Sequence, residues 1–153
     1  MKPSSLLGLL CLLLAFCACQ KDKAVLTSGS LSFAFDGTAY SANTATGYAT
    51  DTTVVGKKVL TIEGLTSNLT KHIAITVIFP DTLAVGTYTQ ENGAFILWSP
   101  SLSANVASYL STTATIKITS INSKYAEGTF AGILENGEIE KPLTDGIFKV
   151  NIY

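Results

Sequence analysis

The chain has 153 residues and a formal net charge of −1, and only 14% of its residues are charged, whereas a soluble domain usually has about a quarter. All 10 basic side chains are lysines, so no guanidinium group is present to hold a phosphate through two hydrogen bonds. The chain therefore lacks the basic footprint of a nucleic-acid-binding protein, and we expect no nucleic-acid partner.

Residues 1–18 have the layout of a secretory signal peptide. Lys2 supplies the positive start, residues 6–16 are apolar, and small residues follow up to Cys19. As a helix, an apolar run of about 11 residues spans about 17 Å, which is roughly half of a bilayer's hydrocarbon thickness. We therefore expect a cleaved signal rather than a permanent membrane helix.

The segment FCAC at residues 16–19 resembles the lipobox of bacterial lipoproteins, in which a cysteine becomes the first residue and its sulfur carries a diacylglycerol. Cys19 follows the small residue Ala18, whereas the competing Cys17 follows bulky Phe16, so Cys19 is the expected lipidation site. An ordinary secretory signal with cysteines in its apolar core is the alternative. The resemblance implies two or more acyl chains, which anchor a protein stably to a membrane.

The residues after Cys19 indicate the location. In the lipoproteins that this segment resembles, aspartate directly after the cysteine favours the inner membrane, and Gln20 stands there instead. Residues 20–22 are also similar to a short charged tag that sends some lipoproteins to the cell exterior, although Lys23 replaces a second acid. The resemblance implies an outer-membrane lipoprotein, at the cell surface rather than on the periplasmic face.

We expect residues 19–30 to be the lipidated N-terminus and a flexible linker, and residues 31–153 to be a single domain. The linker reaches about 15–20 Å as a flexible chain, which keeps the domain close to its membrane. A mature chain of about 135 residues suits one hydrophobic core. All three cysteines, Cys11, Cys17 and Cys19, fall in the signal or at its end, so the domain is expected to fold without a disulfide.

Short apolar alternations separated by turn residues run through the domain. Residues 31–35 precede Asp36-Gly37, which predicts a hairpin with a strand at 40–42. Residues 72–79 form the clearest strand, with one apolar face. Further strands are predicted at 46–50, 59–65, 86–88, 94–98, 114–119, 130–134 and 148–152, with turns at 91–93, 136–137 and 145–146, while 105–110 is either a short helix or a strand. About ten short strands predict an all-β fold, either an antiparallel β-sandwich or a partly closed barrel.

Glycine precedes an aromatic residue at four predicted strand starts. The segments DGTAYSA at 36–42, EGTF at 127–130 and TDGIF at 144–148 resemble an uncharacterised family of single-domain lipoproteins from Gram-negative outer membranes, classed as a domain of unknown function. The resemblance covers about residues 31–152. It implies an all-β envelope protein, and it supplies no catalytic residue.

Few residues offer chemistry. His72 is the only histidine, and nothing selects a serine or carboxylate to complete a Ser-His-Asp arrangement, so a surface histidine is favoured over a catalytic one. Glu135, Glu138, Glu140 and Asp145 could offer oxygens to Ca²⁺, but their spacing matches no calcium-binding loop, and a charged hairpin tip is favoured. We expect no catalytic residue, no metal site and no cofactor.

Three aromatic residues, Trp98, Tyr40 and Tyr88, are candidates for stacking on a sugar or an apolar ligand. Trp98 is the first candidate because Ser99-Pro100 places it at a strand end. The alternative is that these rings pack in the core, which is the commoner role of aromatic residues on strands.

The segments DTT at residues 51–53 and DTL at 81–83 resemble a three-residue O-glycosylation signal of some Gram-negative bacteria. The resemblance implies Thr52 and Thr82 as acceptors. So short a pattern is also expected about once by chance.

The favoured function is a lipid-anchored, non-catalytic binding or adhesion module of the outer membrane, with a glycan or an envelope protein as partner. A structural envelope lipoprotein without a small-molecule ligand and a hydrolase with an unrecognised site are the alternatives. A lipocalin-type carrier is a variant of the first, but the Gly-x-Trp opening of that family is absent, since Phe33 and Phe35 occupy the first strand. A pocket lined by aromatic residues would favour binding.

Overall fold

The computed structural model describes residues 29–51 and 56–153, and within these ranges the chain is almost entirely β-structure. The strands are β1 (Gly29–Phe35), β2 (Thr38–Asp51), β3 (Lys58–Leu65), β4 (His72–Ile78), β5 (Gly86–Thr89), β6 (Ala94–Ser99), β7 (Tyr109–Asn122), β8 (Tyr125–Asn136) and β9 (Ile139–Ile152), and a 3-10 turn covers Gln90–Asn92. The predicted all-β class is confirmed. The signal peptide, Cys19 and Thr52 lie outside the described residues.

Eight of the strands close into an antiparallel barrel in the order β7-β6-β4-β3-β2-β1-β9-β8, with β8 pairing back to β7. The ninth, β5, pairs with β7 beside the barrel wall. One short parallel contact joins β2 to β9 at Thr46 and Asn151. Of the two architectures that the sequence predicts, the barrel is the one that forms.

The barrel interior is filled by the apolar faces of the strands. On β4, Ile73, Ile75 and Val77 are buried, and Phe79 follows them into the core, as the alternation predicts. Successive side chains of a strand point to opposite faces, so the threonines of β7 lie on the outside while Ile116 is fully buried. The interior is therefore a packed core.

The chain runs as strand through one predicted turn, at 145–146, and through the gap between two predicted strands. The predicted strands at 40–42 and 46–50 are parts of one 14-residue strand, β2. Asp145 and Gly146 lie inside β9, where the pairing with β8 shifts register and Asp145 has a φ of 55°. Asp-Gly is typical of both tight turns and β-bulges, and at this position it forms a bulge.

The antiparallel register gives the barrel two distinct ends. The entry end holds Gly29, where the chain enters β1, together with the β4–β5 connection at 79–85. The far end holds the β1–β2 turn, the β3–β4 connection at 66–71, the irregular segment at 100–108 and the β8–β9 turn.

No helical segment among the described residues is long and apolar enough to span a bilayer.

Candidate functional site

An aromatic cluster occupies the core toward the far end of the barrel, with Trp98 at its centre. The Trp98 ring centroid lies 4.9 Å from that of Tyr40, 5.0 Å from Phe33 and 5.9 Å from Phe35. Tyr109 packs edge-on against Phe35 at 5.1 Å. Trp98 is fully buried, whereas both tyrosines keep part of their surface exposed, so Tyr40 and Tyr109 form the outer layer of the cluster.

Two strand ladders bring these rings together. Phe33 pairs with Tyr40 across the β1–β2 hairpin, and Trp98 pairs with Tyr109 across β6 and β7. Residues directly opposite in antiparallel strands have Cβ atoms about 5 Å apart, close enough for rings to touch. The Asp36-Gly37 turn sets the first register, so a local sequence signal positions half of the cluster.

Tyr40 lines a cleft of about 290 Å³ between β2 and the β3–β4 connection. The other wall is polar and carries Thr66, Ser67 and Asn68. The Thr66 hydroxyl donates a hydrogen bond to Asn68 Oδ1 at 2.7 Å, and the Thr70 hydroxyl donates to the same oxygen at 2.8 Å. These bonds hold the polar wall in place, and we call this site the Tyr40 cleft.

Two lysines lie near the aromatic cluster, and they differ in whether a carboxylate pairs with them. Lys71 Nζ lines the Tyr40 cleft, donates to the Pro100 carbonyl at 2.9 Å and lies 5.9 Å from the Tyr40 ring centroid. Lys141 Nζ instead pairs with Asp36 at 2.5 Å, and this hydrogen bond raises the pKa of Lys141. No carboxylate of the described residues forms an ion pair with Lys71. Of the two lysines, Lys71 is therefore the one whose charge a ligand in the cleft would meet.

Tyr88 lies elsewhere, toward the entry end. Its ring packs edge-on against Phe79 at 5.0 Å, and its hydroxyl donates to the Ala84 carbonyl at 2.9 Å. Burial raises the pKa of Tyr88. The residue lines an opening of about 600 Å³ in the barrel wall, between β5 and the end of β4 at Ile78 and Pro80. We call this opening the notch.

The structure thus brings two of the three predicted stacking residues together. Trp98 has no exposed surface, so Tyr40 is the ring of this pair that a ligand would touch. Stacking on Tyr40 or Tyr88 stays a prediction. Lys71 and Tyr109 carry no local signal in the sequence. The β6–β7 register places Tyr109 opposite Trp98, and the β3–β4 connection places Lys71 beside Tyr40.

The remaining candidates lie apart from the cluster. His72 is half-buried on the outer face of β4 and shares a shallow groove with Tyr48 and Glu63. Thr82 is exposed on the β4–β5 connection, and its glycosylation stays a prediction. Glu135 faces Glu140 across the β8–β9 hairpin, both exposed. Within residues 29–51 and 56–153, no three histidine, cysteine or acidic side chains come together as a metal site would require.

Comparison with known proteins adds no relative, because no family model, no curated protein and no solved structure matches the chain. The resemblance to outer-membrane lipoproteins therefore stays a prediction.

Proposed function

We propose that this protein is a lipid-anchored, non-catalytic binding module of the outer membrane, which presents the Tyr40 cleft to a glycan at the cell surface. The observation that carries the proposal is that the start of β1 and the Tyr40 cleft lie toward opposite ends of the barrel. The chain enters the barrel at Gly29 at one end, and the cleft with Tyr40 and Lys71 opens toward the other. A lipid on Cys19 would leave the cleft pointing away from the membrane.

The lengths involved agree with such an orientation. The nine residues between Cys19 and Gly29 reach about 15–20 Å as a flexible chain. β1 has 7 residues, and at about 3.3 Å per residue it carries the chain about 20 Å from the entry end toward the far end. The cleft would therefore stand clear of the lipid headgroups while the barrel stays close to them.

The lining of the cleft suits a sugar. A partly exposed tyrosine ring lies beside the hydroxyl and amide groups of Ser41, Ser67 and Asn68, and rings with a few fixed polar groups are the usual composition of ligand sites. At about 290 Å³ the cleft is at the small end of such sites, which fits about one or two sugar units. The charge of Lys71 favours a sugar that carries a carboxylate.

The same lining supports binding rather than hydrolysis. Glycosidases place two carboxyl groups on either side of the bond that they cut. The residues that line the Tyr40 cleft include Lys71 but neither an acid nor a histidine. We therefore assign no reaction to this site.

Glycan binding can be tested with the mature lipidated protein in detergent on an array of neutral and acidic oligosaccharides, followed by titration of the best ligand. We expect acidic sugars to bind and Tyr40→Ala to weaken binding at least tenfold. Tyr48→Ala is the matched control, since Tyr48 is exposed on the outer face of the same strand. Absence of any saturable glycan, or equal loss in both variants, would contradict the proposal.

The anchor needs its own measurement. We expect labelled palmitate to enter the protein and Cys19→Ser to release it from membranes. Added protease should cleave the protein on intact cells if it is displayed outside. A protein that is labelled but protected from protease would place the cleft in the periplasm.

A further inference from the structure

β5 (Gly86–Thr89) is an edge strand with one unpaired side. Its four residues pair with β7 without a register shift, from Gly86 opposite Ile118 to Thr89 opposite Thr115. No other described strand pairs with β5, and residues 86–89 make no backbone hydrogen bond to another described segment on that side. Unpaired backbone groups at a sheet edge are a template for an additional strand.

The unpaired side of β5 faces the notch. Thr87 and Tyr88 form one wall of this opening of about 600 Å³, Ile78 and Pro80 form the other, and Glu91 of the 3-10 turn lies beside them. Phe79 backs Tyr88 from the core and is fully buried. An incoming segment would therefore meet a backbone edge above an apolar, aromatic base.

The opening is built into the fold by the way β6 leaves β7. These two strands pair only at Leu97–Leu110 and Trp98–Tyr109. Beyond this point, the buried hydroxyl of Ser111 accepts a hydrogen bond from Ile96 N at 3.0 Å and donates one to Gln90 Oε1 at 2.8 Å. Ser111 thus bridges β6 and β7 where their backbone pairing stops, and it fixes the 3-10 turn that lies beside the notch.

The edge also lacks the usual protection. Natural edge strands commonly carry lysine, proline or a bulge that prevents pairing with another chain. The sequence of β5 is GTYT, with none of these. Glu91 and Lys57 both line the notch. The carboxylate of Glu91 is exposed and forms no ion pair with a lysine of the described residues, so it can pair with a basic side chain of a partner.

We propose that the notch is a strand-addition site for an extended segment of a partner protein. About four residues of the segment pair with β5, an apolar side chain packs beside Tyr88 and Ile78, and a lysine or arginine lies near Glu91. Main-chain hydrogen bonds supply the affinity and the alternate side chains supply the specificity in such complexes. This site is separate from the Tyr40 cleft, and it does not depend on glycan binding.

The probe is a capped peptide with the sequence ATIKIT, which copies residues 114–119, a segment that pairs with the opposite side of β5. Nuclear magnetic resonance of the labelled mature protein should show saturable shifts at residues 86–89. Exchange should slow at least tenfold at those amides of β5 that point away from β7. The same peptide with N-methyl groups on alternate amides should not bind. Glu91→Gln should weaken binding about threefold, and Glu138→Gln, at the far end, should not.

Three outcomes would overturn the proposal. The first is no saturable binding of the capped peptide, or equal binding of its N-methylated form. The second is a dimer in sedimentation equilibrium that Thr87→Pro converts to monomer, because a second copy would then fill the notch. The third is strong protection, in the free monomer, of those amides of residues 86–89 that point away from β7, which would mean that the chain itself covers the edge.

Discussion

Phe130 on β8 lies directly against Gly146 on β9. The two residues are paired across the strands, and a Cβ on Gly146 would stand 2.6 Å from Phe130 Cγ and 2.2 Å from its carbonyl oxygen. The neighbouring pair has the reverse order, with Phe148 opposite Gly128, where a Cβ would meet the phenyl ring at 2.8 Å. Each glycine makes room for the aromatic ring of the facing strand, which is a known way of stabilising glycine in sheets.

Replacing Gly146 with alanine should destabilise the fold by about 2–3 kcal/mol, because the methyl group would overlap both ring and backbone of Phe130. Urea unfolding followed by circular dichroism measures the change. Gly86→Ala is the control, since its Cβ would meet only the Tyr88 hydroxyl end at 3.4 Å, and it should change stability by about 0.5 kcal/mol or less. Equal effects of the two substitutions would contradict this account of Gly146.

Ser111→Ala should cost about 1–3 kcal/mol of stability, because the Ile96 amide would lose its partner while remaining buried. The fall should appear as a lower urea midpoint with an unchanged slope. Ser108→Ala is matched in chemistry, but its hydroxyl bonds to Ser99 at the exposed surface, so it should shift the midpoint little. A Ser111→Ala protein as stable as the parent would show that the ladder does not need this bridge.

Trp98 is the only tryptophan, and its indole Nε1 has no hydrogen-bond partner in the described structure although it is fully buried. Its fluorescence should therefore be blue-shifted and resistant to iodide, and it should move to the solvent-exposed value when the protein unfolds. Emission that iodide quenches as strongly as free tryptophan would show that Trp98 faces solvent, which would restore it as a direct stacking residue.

Tyr125 should make the fold sensitive to alkaline pH. Burial, and then its hydrogen bond to Glu127 and the charge of that carboxylate, raise the pKa of Tyr125 from 10.0 to about 12. The folded state then keeps a proton that the unfolded state releases. The contribution of Tyr125 to the free energy of unfolding is therefore fully present below pH 10 and is lost between about pH 10 and 12. Tyr125→Phe should flatten the stability curve in this range.

Urea midpoints at pH 9 to 12 and the absorbance of the phenolate can check this prediction. Tyr153→Phe is the control, because Tyr153 is exposed at the end of the chain, and it should leave the alkaline slope unchanged. Equal slopes for the parent and Tyr125→Phe would rule out Tyr125 as the source.

Much of the barrel could be predicted because the signals are local. The alternation of Ile73, Ile75 and Val77 with smaller or polar residues allows only one face of β4 to be buried. The glycine after Asp36 has a φ of 74°, the kind of conformation that a tight hairpin needs, so the Phe33–Tyr40 register follows from the turn. The expected lipidation of Cys19 is also local, and it lies outside the residues that the structure describes.

The tertiary structure alone decided the closure of the barrel, the site beside Trp98 and the free edge of β5. A register shift at Thr112 turns Ser111 inward and leaves Leu110 52% exposed, because one extra residue in a bulge reverses which side chains face the core. Lys71 meets Tyr40 because the β3–β4 connection lies against β2, where Ser67 N donates to the Ser41 carbonyl. Period-two patterning within a strand determines which of its residues are buried. Contacts between strands depend on register and shear, and these are properties of the paired strands rather than of any single strand.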